Sequence, residues 1–244
     1  MATSETPNKS TIVIQAFNDD SCGAYQNENH VHSLPHSRDE SKIEVVWIPL
    51  NLLDNESVRI AADAIKRLAT KIHIVINNAG VMAVRGYTTS KQGIEGQFAA
   101  NYLGHFLLTN LLMDQMVAAR DEGPTIINVG SLGYELGDVK FDDINFEEGR
   151  KYNAWKAFGQ SKTAILLWST ALAKRLNNKG VVILVVHPGT SSSAFIVDER
   201  VYTETKGYAN NEQKAEKIVE TERRTCRGNF PTLESGTESP KGRG

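Results

Sequence analysis

The sequence predicts an α/β domain built on a doubly wound parallel sheet, and three observations carry that prediction. Short β-branched runs alternate with long amphipathic stretches between residue 43 and about residue 189. The runs IEVVWI at 43–48, IHIVI at 72–76, TIINV at 125–129 and VVILVV at 181–186 are apolar at nearly every position, as strands buried on both faces are. Strand–helix–strand alternation of this kind gives a parallel sheet with helices on both faces.

Taken in order, TIVI at Thr11–Ile14 is a short first strand with no helical pattern behind it. After the 43–48 strand, a helix is expected from near Asp54 to Thr70, capped by Asp54 or Asn55. Its apolar stripe is Val58, Ala61, Ala62, Ile65, Leu68 and Ala69. Following the 72–76 strand, a long helix is expected over 93–119, with Thr89 and Ser90 before it as caps. A third helix is expected over roughly 155–176, and a short charged one over 213–224. Residues 15–41 and 191–244 are polar, lack apolar periodicity and read as loop or poorly ordered chain. The whole of 1–244 is therefore expected to form one domain, incomplete at its N-terminal βαβ unit and at its C-terminal end.

Composition narrows the function. With 27 Lys+Arg against 29 Asp+Glu the net charge is −2, too little positive field to hold nucleic-acid phosphates. Two cysteines, Cys22 and Cys226, support neither a disulfide framework nor a zinc site, so no metal is expected. The opening MATSETPNKS has no apolar core, and no run of about 18 apolar residues occurs, so neither export nor a membrane span is expected. A reducing, cytoplasmic setting fits.

The chemistry-bearing motifs begin with NNAG at 77–80, directly after a strand. Ligands of doubly wound sheets bind at the carboxyl ends of strands, where Asn can brace neighbouring strands and Gly lets a ligand approach. Alone, NNAG is ordinary turn chemistry. It is followed in order by GIEGQFAANYLGHFLLTNLL, IINVGSLGY, FDDINF, YNAWKAFGQSKTAILL and VVHPGT. Together these blocks, over roughly residues 43–190, resemble the short-chain dehydrogenase/reductase family, in particular its retinol dehydrogenase and WW-domain oxidoreductase subgroup.

The resemblance implies a Rossmann-like fold and hydride transfer between a nicotinamide and a carbonyl or alcohol carbon of a small or lipophilic substrate. In the family a Tyr is the general acid/base, and a Lys four residues on lowers its pKa and holds the nicotinamide ribose. A Ser positions the substrate oxygen and a helix Asn supports a proton-relay water. The matching positions are Asn101, Ser131 and Lys162, while the Tyr position is Phe158, whose ring has no ionisable proton. Loss of a positioned general acid costs about 10²–10⁴ in rate. A literal Tyr-x-x-x-Lys lies upstream at Tyr152 and Lys156, but Ser161 and Lys162 fix the family register, and a shift of six residues puts Tyr152 on another helix face.

On the cofactor side, the resemblance implies contacts from Asn51, Asn78, Ala79, Gly80, Lys162, Pro188, Gly189 and Thr190. Arg38 in SRDESK points to the 2′-phosphate of NADP, with a solvated charge cluster as the competing reading. The family's Thr-Gly-x-x-x-Gly-x-Gly phosphate turn is missing, since Gly23 is the one glycine between residues 15 and 41. Phe106, Leu107, Leu111 and Leu112 could serve a homodimer contact of the family type or simply the core. Three readings stay open: an NADP-dependent oxidoreductase, a catalytically impaired binding protein, and a truncated or mis-spliced product.

Overall fold

The computed structural model describes residues 11–14, 46–188, 206–209 and 211–226. Four strands form one parallel sheet in the order β1 (Thr11–Ile14), β2 (Ile74–Asn77), β3 (Thr125–Val129), β4 (Val182–Val186). The expected parallel sheet is present, with Asn77 rather than Ile72 inside its strand. Register pairs Ile76 with Ile127 and Ile127 with Leu184, so side chains at matched positions share a face.

One face is sealed by helices. α1 (Asn55–Leu68) starts on Asp54, whose carboxylate accepts from Glu56 N, and it buries Val58, Ala61, Ala62 and Ile65. Leu68, placed on that stripe by spacing, is exposed, because the helix ends there. The segment expected as one helix over 93–119 is broken into α2 (Gly96–Phe98), a π-turn at Ala99–Leu103, α3 (Gly104–Leu111) and α4 (Met113–Ala118). Its cap is Glu95, whose carboxylate accepts from Gln97 N and Phe98 N. Ser90 instead closes the preceding turn by accepting from Gln92 N and Ile94 N.

α5 (Ala154–Leu176) begins on Asn153, which accepts from Lys156 N, and lies against α6 (Glu212–Thr225). Between α3 and α5 sits an aromatic cluster of Tyr102, Phe106 and Trp168, with centroids 5.8–5.9 Å apart. Phe106, Leu107 and Leu112 are buried inside the chain, so the core takes them.

Polar side chains tie this layer to the sheet. Asn77 Nδ2 donates to Asn128 Oδ1 at 2.7 Å and to Thr109 Oγ1 at 3.0 Å, and Asn128 Nδ2 donates to Ser169 Oγ at 2.8 Å. All four residues are buried, and the chain of bonds runs from α3 through β2 and β3 to α5. The strand-bracing role read for the asparagines is thus realised at Asn77.

Burial of the strands on both faces is not. In β2 and β3 every second residue is buried and its neighbours only half-buried, and Val182, Leu184 and Val185 of β4 are exposed. Apolar continuity reports a strand's capacity for two covers; among the described residues, helices provide one. Residues 46–48 of the expected 43–48 strand pair with nothing described, and Val46 and Trp47 are exposed. Residues 43–45 lie outside the described residues.

Candidate active site

The carboxyl ends of β2 and β3 and the first turns of α5 bring together most of the residues read from sequence. Beyond β3, Ser131 opens a 3₁₀ turn (Leu132–Leu136), its Oγ accepting from Gly133 N at 3.1 Å. That turn packs backbone against backbone on α5. A Cβ on Gly159 would lie 2.6 Å from Gly137 N, and one on Gly133 would collide with the Phe158 ring and lie 3.3 Å from Ser131 Oγ. Two glycines therefore set how closely Phe158 approaches Ser131.

One helical turn beyond Phe158, Lys162 turns its ammonium over that ring, 5.7 Å from the centroid, and donates to Val129 O at 2.9 Å. This is its hydrogen bond among the described residues, and no carboxylate pairs with it there. Lys162 is 8% exposed, and burial lowers its pKa to about 8. Desolvation disfavours a charge that the site does not neutralise.

Asn101 lies in the π-turn, where Gly104 N bonds Ala99 O instead of the α-helical acceptor. The unwinding turns its amide onto the loop after β2. Oδ1 accepts from Val81 N at 2.7 Å, and Nδ2 donates to Val81 O and to Ser161 Oγ, each at 2.9 Å. Ser161 in turn donates to Phe158 O at 2.7 Å. A Cβ on Gly80 would fall 2.9 Å from Asn101 Oδ1, so this loop too approaches as backbone. Asn101 thus braces the loop that carries Asn78, Ala79 and Gly80 against α5.

His105, one turn further along, is fully buried, and its Nε2–H donates to Ala79 O at 2.8 Å. Burial, reinforced by the Lys162 charge, lowers its pKa to about 4. Its Nδ1 has no hydrogen-bond partner.

The upstream tyrosine is elsewhere. Tyr152 precedes α5 altogether; its hydroxyl donates to Val84 O at 2.7 Å and accepts from Gln97 Nε2 at 2.8 Å. Burial raises its pKa, with the Glu95 charge adding to the effect. Tyr152 is set apart from the site by lying before the helix, not by occupying another of its faces.

Of the cofactor positions, Asn78 and Pro188 are exposed at strand ends. Asn51 is also exposed, and its Oδ1 accepts from Leu53 N at 2.9 Å, shaping the entry to α1. Arg38, Gly189 and Thr190 lie outside the described residues. Sequence reasoning missed His105, Ser161, Gly133 and Gly159. In sequence Ser161 fixes register beside Lys162, and nothing there shows its bond to Asn101. The sequence signal for close approach here is the glycines themselves, Gly133 two residues after Ser131 and Gly159 next to Phe158.

Four exposed apolar side chains lie beside this site. Met82 follows Val81, Leu132 follows Ser131, Leu136 adjoins Gly159, and Trp155 meets Phe158 edge-on at 6.4 Å. The nicotinamide-ribose half of a dinucleotide fits what is present, because Lys162 has N–H groups to spare at the strand ends.

A family model described as short chain dehydrogenase matches residues 21–141. Retinol dehydrogenase 13 of Homo sapiens is 44% identical over 142 residues, 58% of this chain and 42% of that protein. Oxidoreductase fscI of Fusarium equiseti is 34% identical over 172 residues, 60% of this chain and 66% of that protein. A crystal structure of an uncharacterized protein from Mycobacterium Paratuberculosis superposes with a TM-score of 0.62 at 28% identity, covering 75% of each chain. The chain spans under half the length of the retinol dehydrogenases it matches.

Proposed function

The chain belongs to the short-chain dehydrogenase family, among its retinol dehydrogenase-like members, and from that premise we propose a carbonyl–alcohol oxidoreductase site that has lost its own proton donor. The observation that carries this reading is the Phe158 ring between Ser131 and Lys162. The surrounding parts are retained: a hydroxyl at Ser131, an ammonium at Lys162, and an Asn101 brace. The group that would hand a proton to a developing alkoxide is not.

When bound, a nicotinamide would supply or accept the hydride. Lys162 would hold its ribose, and Ser131 would orient the substrate oxygen. NADP is the proposed form, on the strength of Arg38 in the sequence, and the proposed setting is cytoplasmic. No helix among the described residues is long and apolar enough to cross a membrane. The exposed Met82, Leu132, Leu136 and Trp155 favour a lipophilic carbonyl over a polar one.

Phe158→Tyr tests the reading. NADPH-dependent reduction of a panel of aldehydes and ketones should rise about 10²–10⁴-fold in the variant. Equal rates in the two proteins would show that position 158 does not carry proton transfer. The missing glycine turn favours the second reading, a binding protein without cofactor chemistry. Fluorescence titration separates the two: saturable micromolar NADPH binding removes the second, and no binding removes the first.

A further inference from the structure

The Lys162 amine has a chemistry that the oxidoreductase reading does not use. Its nitrogen is buried, has no carboxylate partner among the described residues, and makes one hydrogen bond, to Val129 O. On one side it faces the Phe158 ring, 5.7 Å from the centroid, which offers it neither a hydroxyl proton nor an oxygen acceptor. Trp155, exposed, packs edge-on against that same ring, and Leu132, also exposed, follows Ser131 in the chain. A buried amine with no counter-charge, next to an apolar approach, is the arrangement that makes a lysine nucleophilic.

We propose that Lys162 is a covalent docking point for apolar aldehydes, which its side-chain amine captures as an imine. The nitrogen lone pair attacks the carbonyl carbon, and the C=O π pair moves to oxygen, which takes up a proton shed by nitrogen. The resulting hydroxyl leaves as water with the second nitrogen proton, and a C=N bond remains. No oxidant, reductant or nucleotide enters. The low pKa of about 8 supports the step, because roughly a tenth of the amine is neutral at pH 7, against well under 1% for an ordinary lysine. This goes beyond the oxidoreductase reading and does not need it. Capture at Lys162 can succeed where NADPH fails to bind, and the reverse.

The test uses hexanal with the intact chain at pH 7. Borohydride then reduces any imine to a stable secondary amine, and adducts are located by peptide mapping. Lys156, exposed on the same helix, is the internal reference. Lys162 should carry adduct at least about tenfold faster than Lys156, given its larger neutral fraction and poorer access. That preference should vanish in urea, where the site is gone. Phe158→Tyr should lower it several-fold, since a phenol oxygen beside the amine would accept its hydrogen bond. Labelling of Lys162 no faster than Lys156, a preference that survives urea, or equal labelling in the Tyr variant would each overturn the proposal.

Discussion

On the helix-bearing side of the sheet, Val75 and Ile126 are fully buried, and Asn77 and Asn128 are sealed among Thr109 and Ser169. On the opposite side the same strands present Ile74, Ile76, Ile127 and Val129 half-buried, and Val182 and Leu184 exposed. The sealed side carries the polar Asn77 and Asn128 while the other side is the more apolar of the two, so composition does not account for the burial. What differs is the cover. The site residues hang from the sealed side: Asn101 and His105 from the broken helix, Phe158 and Lys162 from α5. An intact arrangement at Asn101, Ser161 and Val81 therefore reports one complete layer, and says nothing of the other.

The sharpest way to break this contrast is to empty the sealed side. Trp168 is 1% exposed and packs on both Tyr102 and Phe106. Trp168→Ala should cost about 4 kcal/mol in urea unfolding, since truncating a buried aromatic loses both transfer energy and packing. The same cluster joins α5 to the π-turn, so near-ultraviolet circular dichroism should also flatten. A cost under about 1 kcal/mol would mean that this layer relaxes freely and is no better built than the other.

How much of this was legible depends on which physical signal a residue carries. The strands β2, β3 and β4, the helices α1 and α5, and the α1 cap at Asp54 or Asn55 follow from local pattern, and the structure places them there within two residues or so, with Asp54 as the cap and Asn153 capping α5 unforeseen. Apolar runs could not say how many faces would be covered, because cover is supplied by distant chain. The π-turn was invisible, since no periodicity encodes one inserted residue, and with it went the true cap at Glu95. Ser131, Phe158 and Lys162 were found by family spacing, and the structure brings them together. His105 is not legible in sequence, because a histidine amid Leu and Phe reads as core and its bond to Ala79 O depends on a loop 26 residues away.

His105 offers a second, pH-resolved probe of the sealed side. Its folded pKa of about 4 lies below the 6.5 of a free imidazole, so the unfolded chain binds the proton first as pH falls. The stability from burying it neutral is complete above pH 6.5 and declines as pH drops towards 4, by up to about 3 kcal/mol. His105→Gln keeps an N–H for Ala79 O without titrating. Relative to that variant, urea unfolding of the parent should steepen in its pH dependence between 6.5 and 4. Parallel profiles would place His105 in water contact, and would undo the claim that this layer is dry.

The smallest effect is expected on the open side, at Leu184. It faces away from α3 and α5, in register with Ile127, and is 45% exposed. Leu184→Ser removes a side chain that half faces solvent and creates no enclosed cavity, so unfolding free energy should shift by less than about 0.5 kcal/mol. Serine has lower strand propensity than leucine, which sets the sign as weakly destabilising. An exposed apolar strand is also a surface on which chains associate, so light scattering of concentrated protein should fall in the variant. Weaker association at almost unchanged stability is the pair of results expected of a Leu184 that lacks a cover. A loss of 2 kcal/mol or more, the size expected of a buried Leu, would mean that this face is covered in solution, and the contrast between the two sides of the sheet would close.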